Sequence, residues 1–262
     1  MPVTIESVQK WECVADVADR FRDGRIFLAG DAAHVMPPYG GFGGNTGIHD
    51  AHNLAWKLAL VLEGTAGAAL LDSYEAERRP IAELTTGQGY TRYVVRGALH
   101  LAQQGTPPFV TDLNIDLGFR YRSAAVIAEP GDDGAIHENP RESFGRPGTR
   151  ASHVYLEQDG VRVSTIDFFG QRFVLWAGPE GSAWVDPARR AALALGLRLD
   201  VHHVGAPDLR DPDDRFASSY GIRPGGAVLV RPDGVVAWRS TPADTASDST
   251  LAGVLGRVLD RA

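Results

Sequence analysis

Two hydrophobic periods run along this chain, and the change from one to the other divides it. In the first half, Ile48, Ala51, Leu54, Ala55, Leu58 and Leu62 recur every three or four residues, the spacing of one helix face. Asn45 or Thr46 can cap that helix with its side-chain oxygen, and Gly64 supplies a stop. The run Arg25-Ile26-Phe27-Leu28-Ala29-Gly30, closed by Asp31, reads as a buried strand ending in a turn. A second helix is predicted over 67–79, stopped before Pro80, whose ring nitrogen has no hydrogen for the ladder. A third is predicted over about 81–103.

Residues 129–150 hold four Gly, three Pro and mixed charges, and read as a linker between two units, 1–128 and 151–262. Past it the pattern predicts a strand at 172–177, a helix at 186–195, a strand at 197–204 and a short helix at 213–220. Ala227-Val228-Leu229-Val230 and Val235-Val236-Ala237-Trp238 flank Pro232-Asp233-Gly234, a strong hairpin signal, and a final helix covers 249–260. This order fits a small α/β sandwich. Trp176, Trp184 and Trp238 read as core or interface residues, and His202 and His203 must point to opposite faces of their strand.

Composition narrows the function. With 44% hydrophobic and 23% charged residues, the chain is of ordinary globular make-up. A net charge of −7 argues against nucleic acid or an anionic membrane as partner, and the pairs Arg78-Arg79 and Arg189-Arg190 read as solvated helix faces. A single cysteine, Cys13, excludes an internal disulfide and any CxxC centre. The start Met-Pro-Val-Thr-Ile-Glu shows no signal-peptide pattern, and Lys57 interrupts the longest apolar run, so a cytoplasmic protein is expected. There is no G-x-S-x-G and no Walker lysine. His49 and His52 stand three apart with no evident third ligand, so no metal is assigned.

The segment 25–62 carries the chemistry. An Asp after a buried strand can accept hydrogen bonds from sugar or polyol hydroxyls. Four glycines in 40–44 let the main chain approach a flat or bulky ligand, and the amides of Gly43, Gly44 and Asn45 then stand at a helix N-terminus, where negative charge is favoured. His34 suits either a ligand contact or a supporting donor behind Asp31.

These residues resemble the FAD-dependent aromatic hydroxylases of the phenol and para-hydroxybenzoate type, above all the bacterial branch acting on phenols and polycyclic polyketides. The resemblance rests on Gly24-Arg25-Ile26-Phe27-Leu28-Ala29-Gly30-Asp31-Ala32-Ala33-His34, Pro37-Pro38, the glycines of 40–44, Asn45-Thr46-Gly47, Asp50-Ala51-His52-Asn53-Leu54-Ala55-Trp56-Lys57-Leu58 and Tyr74-Glu75-Ala76-Glu77-Arg78-Arg79-Pro80. It implies that Asp31 holds a ribityl hydroxyl of FAD, with Gly30 keeping the turn tight. Pro38 and Gly40 would line the flavin edge where substrate approaches, and the amides of Gly43, Gly44 and Asn45 would face its pyrimidine end. It extends through Pro147-Gly148-Thr149-Arg150-Ala151, Asp159-Gly160, Ser164-Thr165-Ile166-Asp167 and Phe173-Val174-Leu175, implying a thioredoxin-like domain over 151–262. No cysteine follows that domain's strand, so thiol redox chemistry is excluded there.

The implied activity is NAD(P)H-dependent hydroxylation of a small aromatic substrate, phenolic or polyketide-like. The implied fold is the C-terminal part of an FAD-binding monooxygenase domain followed by the thioredoxin-like α/β domain. The family's GxGxxG unit, which grips the ADP moiety, does not occur in the chain, and Gly40-Gly41-Phe42-Gly43-Gly44 is not that fingerprint because it follows a long loop. A separate N-terminal chain bearing GxGxxG, or truncation, is the expected explanation. The other readings are a non-catalytic ligand-binding remnant and a subunit of a split hydroxylase. The strand at 25–29 is expected to leave an open edge and an apolar patch liable to association, with such a partner or as a homodimer. No catalytic base is assigned from this half.

Overall fold

The structure is a computed structural model that describes residues 4–10, 12–102 and 106–261. β1 (Asp16–Val17) is followed by a tight hairpin of β2 (Arg22–Asp23) and β3 (Ile26–Phe27). β4 (His34–Val35) then returns to pair antiparallel with β1. Two long helices, α1 (Phe42–Leu62) and α2 (Asp72–Gly97), pack against each other, and the short α3 (Asp112–Asp116) follows.

Three sequence expectations change here. The run at 25–30 is not one continuous strand. Only Ile26 and Phe27 are in strand conformation, paired back onto Arg22 and Asp23 around Gly24 at φ +58°, while Gly30–Ala32 is a 3₁₀ turn. The hairpin is a two-stranded ribbon whose outer edges meet no further strand among the described residues, and Ile26 stays 68% exposed. The helices expected at 67–79 and about 81–103 are one helix with Pro80 inside it. Loss of one amide at Pro80 is a local cost of about 3 kcal/mol, and burial of Tyr74, Ile81 and Ala82 on either side of it outweighs the interruption. The expected end at Gln103 lies outside the described residues. Finally, α1 begins three residues before the predicted cap, with Gly41 at φ +72° as its N-cap and no side-chain cap.

In the second half, β5 (Tyr155–Gln158) and β6 (Val161–Ser164) form a hairpin through Asp159-Gly160, an element that the hydrophobic pattern did not predict. The chain continues through β7 (Phe173–Ala177), α4 (Val185–Leu195), β8 (Leu199–His203), β9 (Leu209–Arg210), α5 (Phe216–Ser219), β10 (Ala227–Val230), β11 (Val236–Arg239) and α6 (Asp248–Val258). The main sheet has the order β11-β10-β7-β8, with β7 and β8 parallel and the other pairs antiparallel. This is the thioredoxin-like arrangement the sequence implied. β9 joins β5 and β6 in a second, three-stranded sheet.

β7 is buried on both faces because each face meets a separate core. Phe173, Leu175 and Ala177 face α4 and α6, where Ala188, Ala192, Leu251 and Leu255 recur at helical spacing. Val174 and Trp176 face Leu156, Phe216 and Tyr220. The first of these cores also takes in Trp56, Ala66 and Leu70 from the first half, with the Trp56 ring edge-on to Phe173 at 5.4 Å. The two units therefore share one hydrophobic interior. The stretch 129–150 has no helix or strand, but it is fastened by side chains: Glu129 to Arg239 at 2.6 Å, and Asp132 to Arg120 at 2.8 Å.

A buried ionic cluster reinforces that junction. Glu77, 1% exposed, accepts hydrogen bonds from Lys57 Nζ (2.8 Å), Asn53 Nδ2 (2.6 Å), Ser123 Oγ (2.6 Å) and two nitrogens of Arg231 (2.6 and 2.9 Å). Arg231 also meets Asp233 across the β10–β11 turn, and Asp233 Oδ2 accepts from Trp56 Nε1 at 3.1 Å. Two cations thus balance two carboxylates. Burial alone would raise the Glu77 carboxyl, but the charges of Arg231 and Lys57 hold it far below the ordinary range. Burial pushes Lys57 down to about 8, against the pull of Glu77, so the lysine is the member closest to neutrality. Replacing Glu77 by Ala leaves two cations buried with one carboxylate. We expect Glu77→Ala to lower unfolding free energy by about 3–5 kcal/mol in urea titrations followed by tryptophan fluorescence, whereas loss under 1 kcal/mol would contradict the pairing.

Candidate functional site

The segment 30–50 is organised by a second buried carboxylate, Asp50, on the inner face of α1. Asp50 accepts hydrogen bonds from the Gly30 amide (3.0 Å), from His34 Nε2 (2.7 Å) and from Arg78 Nε (2.7 Å). Arg78 is 1% exposed rather than on a solvated helix face, and it also donates to the Tyr121 hydroxyl (2.8 Å) and the Thr46 carbonyl (3.1 Å). Its neighbour Arg79 is half-buried, whereas Arg189 and Arg190 are exposed as expected. Burial works to raise the Asp50 carboxyl, but the His34 hydrogen bond and the Arg78 charge outweigh it and hold it below its usual range. His34 therefore acts behind the turn: it is 2% exposed and bonded to Asp50.

Asp50 draws the 3₁₀ turn onto the helix, and the approach leaves little room for a side chain on Gly47. A Cβ on Gly47 would lie 3.1 Å from Gly30 Cα. That backbone contact sets Asp31, exposed on the same turn, beside the start of α1. The loop into the helix is pinned in its turn. Pro37 is buried with its carbonyl over Gly89 of α2, Pro38 beside it is exposed, and Tyr39 packs on Tyr93 at 5.2 Å. Gly40, at φ +102°, has a Cβ position only 2.4 Å from the Phe42 ring, so no side chain fits there.

The resulting α1 N-terminus is open. No side chain caps it, so the Phe42, Gly43 and Gly44 amides meet no side-chain acceptor among the described residues. A Cβ at Gly44 would meet nothing within 4 Å, and one at Gly43 only Met36 at 3.7 Å. Asn45 is exposed in the same turn. The orphan donors and the aligned peptide dipoles suit an electron-rich or anionic ligand edge, and the missing side chains let a flat one reach the backbone. Next to it a cleft of about 330 Å³ is lined by Phe42, Asn45, Thr46, His49, Arg78 and Phe119.

The seven residues proposed from the sequence thus fall on one turn, one loop and one helix start: Gly30 and Asp31, Pro38 and Gly40, then Gly43, Gly44 and Asn45. Sequence reasoning did not assign roles to Asp50, Arg78 or Glu77. The apolar period pointed to the other face: α1 buries Thr46, Asp50, Asn53 and Lys57 beside Phe42, Leu54 and Trp56, while Ile48, Ala51, Ala55 and Leu62 of the periodic set are exposed.

Open backbone donors, an adjacent acidic turn and a cleft fit the pyrimidine edge and ribityl chain of a flavin. Comparison with known proteins agrees. Residues 1–88 match the FAD binding domain family model, and residues 145–262 match the model for the aromatic-ring hydroxylase C-terminal region. The chain is 52% identical to 4-methyl-5-nitrocatechol 5-monooxygenase of a Burkholderia species over 99% of its own length and 48% of the relative's. It is 48% identical to aklavinone 12-hydroxylase of Streptomyces purpurascens, over 97% and 47% respectively. Among solved structures, aklavinone-11 hydroxylase with FAD and aklavinone superposes with a TM-score of 0.90 at 49% identity, covering 96% of this chain and 46% of that one. The chain spans about half the length of the curated relatives it matches. It belongs to the FAD-dependent aromatic hydroxylases and corresponds to their C-terminal half.

Proposed function

We propose that this chain supplies the flavin-facing half of an FAD- and NAD(P)H-dependent monooxygenase that hydroxylates a phenolic or polyketide-like aromatic ring. The observation that carries the reading is the uncapped glycine start of α1, locked beside Asp31 by the Gly30–Gly47 contact. FAD, reduced by NAD(P)H, would supply the oxygen-activating chemistry. Asp31 would accept from a ribityl hydroxyl, and the Gly43 and Gly44 amides, with Asn45 exposed in the same turn, would donate to the pyrimidine carbonyl region and stabilise charge that builds there on reduction. The Asn45 amide itself is committed to the Gly41 carbonyl as the first bond of the helix. Pro38 and Gly40 would border the flavin edge. The fixed φ of Pro38 would hold that border in place, and Gly40, without a Cβ, would leave room for the ring of the substrate. The remaining grip on the cofactor would come from an N-terminal GxGxxG-bearing segment. A cytoplasmic setting, where NAD(P)H is available and a lone cysteine stays reduced, completes the reading.

The cleft beside the α1 start is the place for the aromatic ring. Phe42 and Phe119 give it apolar surface, and His49 a polar group. Burial, with the charges of Arg78 and Arg150, lowers the His49 pKa to about 4, so its imidazole is neutral near pH 7 and can donate or accept a hydrogen bond to a phenol. Relatives carry names that fit such a substrate, a nitrocatechol and the polycyclic aklavinone.

Two measurements follow. Titration with FAD, read by flavin fluorescence, is expected to show binding once an N-terminal GxGxxG segment from a relative is added, and Asp31→Ala should weaken it about tenfold, the loss of one good hydrogen bond. Absence of binding with and without that segment would refute the reading. For His49, the unfolded chain titrates near 6.5 and the folded protein near 4. The unfolded state therefore holds more protons between those values, and stability falls as pH drops through that window. Urea midpoints across it should decline less steeply for His49→Gln than for the wild type.

A further inference from the structure

A second cleft, of about 280 Å³, lies where α1 meets the C-terminal unit, with His49, His52, Phe119, Tyr121, Arg150 and Phe169 in its wall. Its unusual member is Arg150. The buried and half-buried arginines Arg78, Arg92, Arg120, Arg231 and Arg239 are each paired with a carboxylate. The Arg150 side chain, half-buried, has no hydrogen-bond or ion-pair partner among the described residues, yet its backbone is fixed by an antiparallel bridge to Val235. Asp233 also lines this cleft, but its oxygens are taken by Arg231 Nε (3.0 Å) and Trp56 Nε1 (3.1 Å), so it does not neutralise Arg150. The guanidinium is a planar fork of five donors left without an acceptor.

The rest of the wall is aromatic. Phe119 and Tyr121 lie 4.7 Å apart, and the His49 ring stands edge-on to Phe119 at 5.5 Å. The Tyr121 hydroxyl is already engaged by Arg78, so the ring offers its apolar surface. Neither His49 nor His52 makes a hydrogen bond among the described residues, and His49 is neutral. We propose that this cleft is a second ligand site, taking a single-ring aromatic anion whose carboxylate or phenolate oxygen meets Arg150 while the ring packs against Phe119, Tyr121 and Phe169. A charge-assisted pair of this kind is about twice as strong as a neutral hydrogen bond, and the cleft of about 280 Å³ has room for an aromatic ring.

The test uses the chain without flavin, so its outcome does not depend on the hydroxylase reading. Benzoate is titrated by calorimetry and by following the His49 and His52 ring signals in NMR spectra, with phenol at neutral pH and inorganic phosphate as comparators. Saturable benzoate binding that shifts His52, which lines this cleft and not the first, is expected, weakened at least about tenfold in Arg150→Gln and about tenfold for uncharged phenol. Because the guanidinium holds no structural bond, Arg150→Gln should melt with the wild type. Should it unfold early, Arg150→Lys keeps the charge and should retain binding. Equal affinity of wild type and Arg150→Gln for benzoate would overturn the proposal, as would phosphate binding as tightly as benzoate, or no benzoate binding at all.

Discussion

Everything in this molecule hangs on a carboxylate that water cannot reach. Glu77 sits in the second turn of α2 with negligible exposure, and a charge in that position survives only with partners at hydrogen-bond distance. The partners come from three places: Lys57 and Asn53 on α1, Ser123 on the segment after α3, and Arg231 at the end of β10. No single unit of the fold can satisfy it. The helical half supplies one cation and the thioredoxin-like half the other, so the ion cluster forms only when the two are docked. Trp56 adds an apolar component to the same docking, since its ring enters the core of the C-terminal unit while its indole nitrogen donates to Asp233.

The same helix face does a second job one turn earlier. Asp50 holds the Gly30 turn and Arg78, as Lys57 holds Glu77 further along. Since both carboxylate clusters are anchored on α1 and α2, the open helix start is rigidly referred to the distant sheet. Position is transmitted through stiff parts: a backbone-to-backbone glycine contact, a buried ion pair and a shared hydrophobic interior. None of them can relax by more than a fraction of an ångström without opening an unpaired charge or a void.

Local signals were legible in the sequence wherever one residue type has one physical use. Continuous apolar runs placed β7, β10 and β11, Gly64 stopped α1, and the Gly-Asp and glycine-rich segments marked the candidate site. Signals that depend on tertiary context misled. Pro80 reads as a helix end by its own chemistry, yet the burial of α2 on both sides carries the helix through it. Residues 25–30 have the apolar content of an interior strand, but Gly24 folds Ile26 and Phe27 back into a short hairpin with Arg22 and Asp23. Arg78 next to Arg79 looks solvated, because a lone sequence cannot show that Asp50, twenty-eight positions earlier, waits across the helix pair. The β5–β6 hairpin was overlooked because Tyr155, Glu157 and Arg162 alternate polarity too weakly to stand out, although Asp159-Gly160 announced the turn.

The cluster at the junction also limits how freely these proteins can exchange parts. A thioredoxin-like unit is usually thought of as portable, a cassette that recombination can move between relatives. Here its second hairpin carries a guanidinium destined for a carboxylate on the other unit, and the other unit buries a lysine that relies on the same carboxylate. A cassette from a relative in which the β10–β11 turn lacks that arginine would bring a good sheet and a fatal charge imbalance. In this chain the two halves are tied together at four side chains, Lys57, Glu77, Arg231 and Asp233, so an exchanged half would have to bring or meet the same charges.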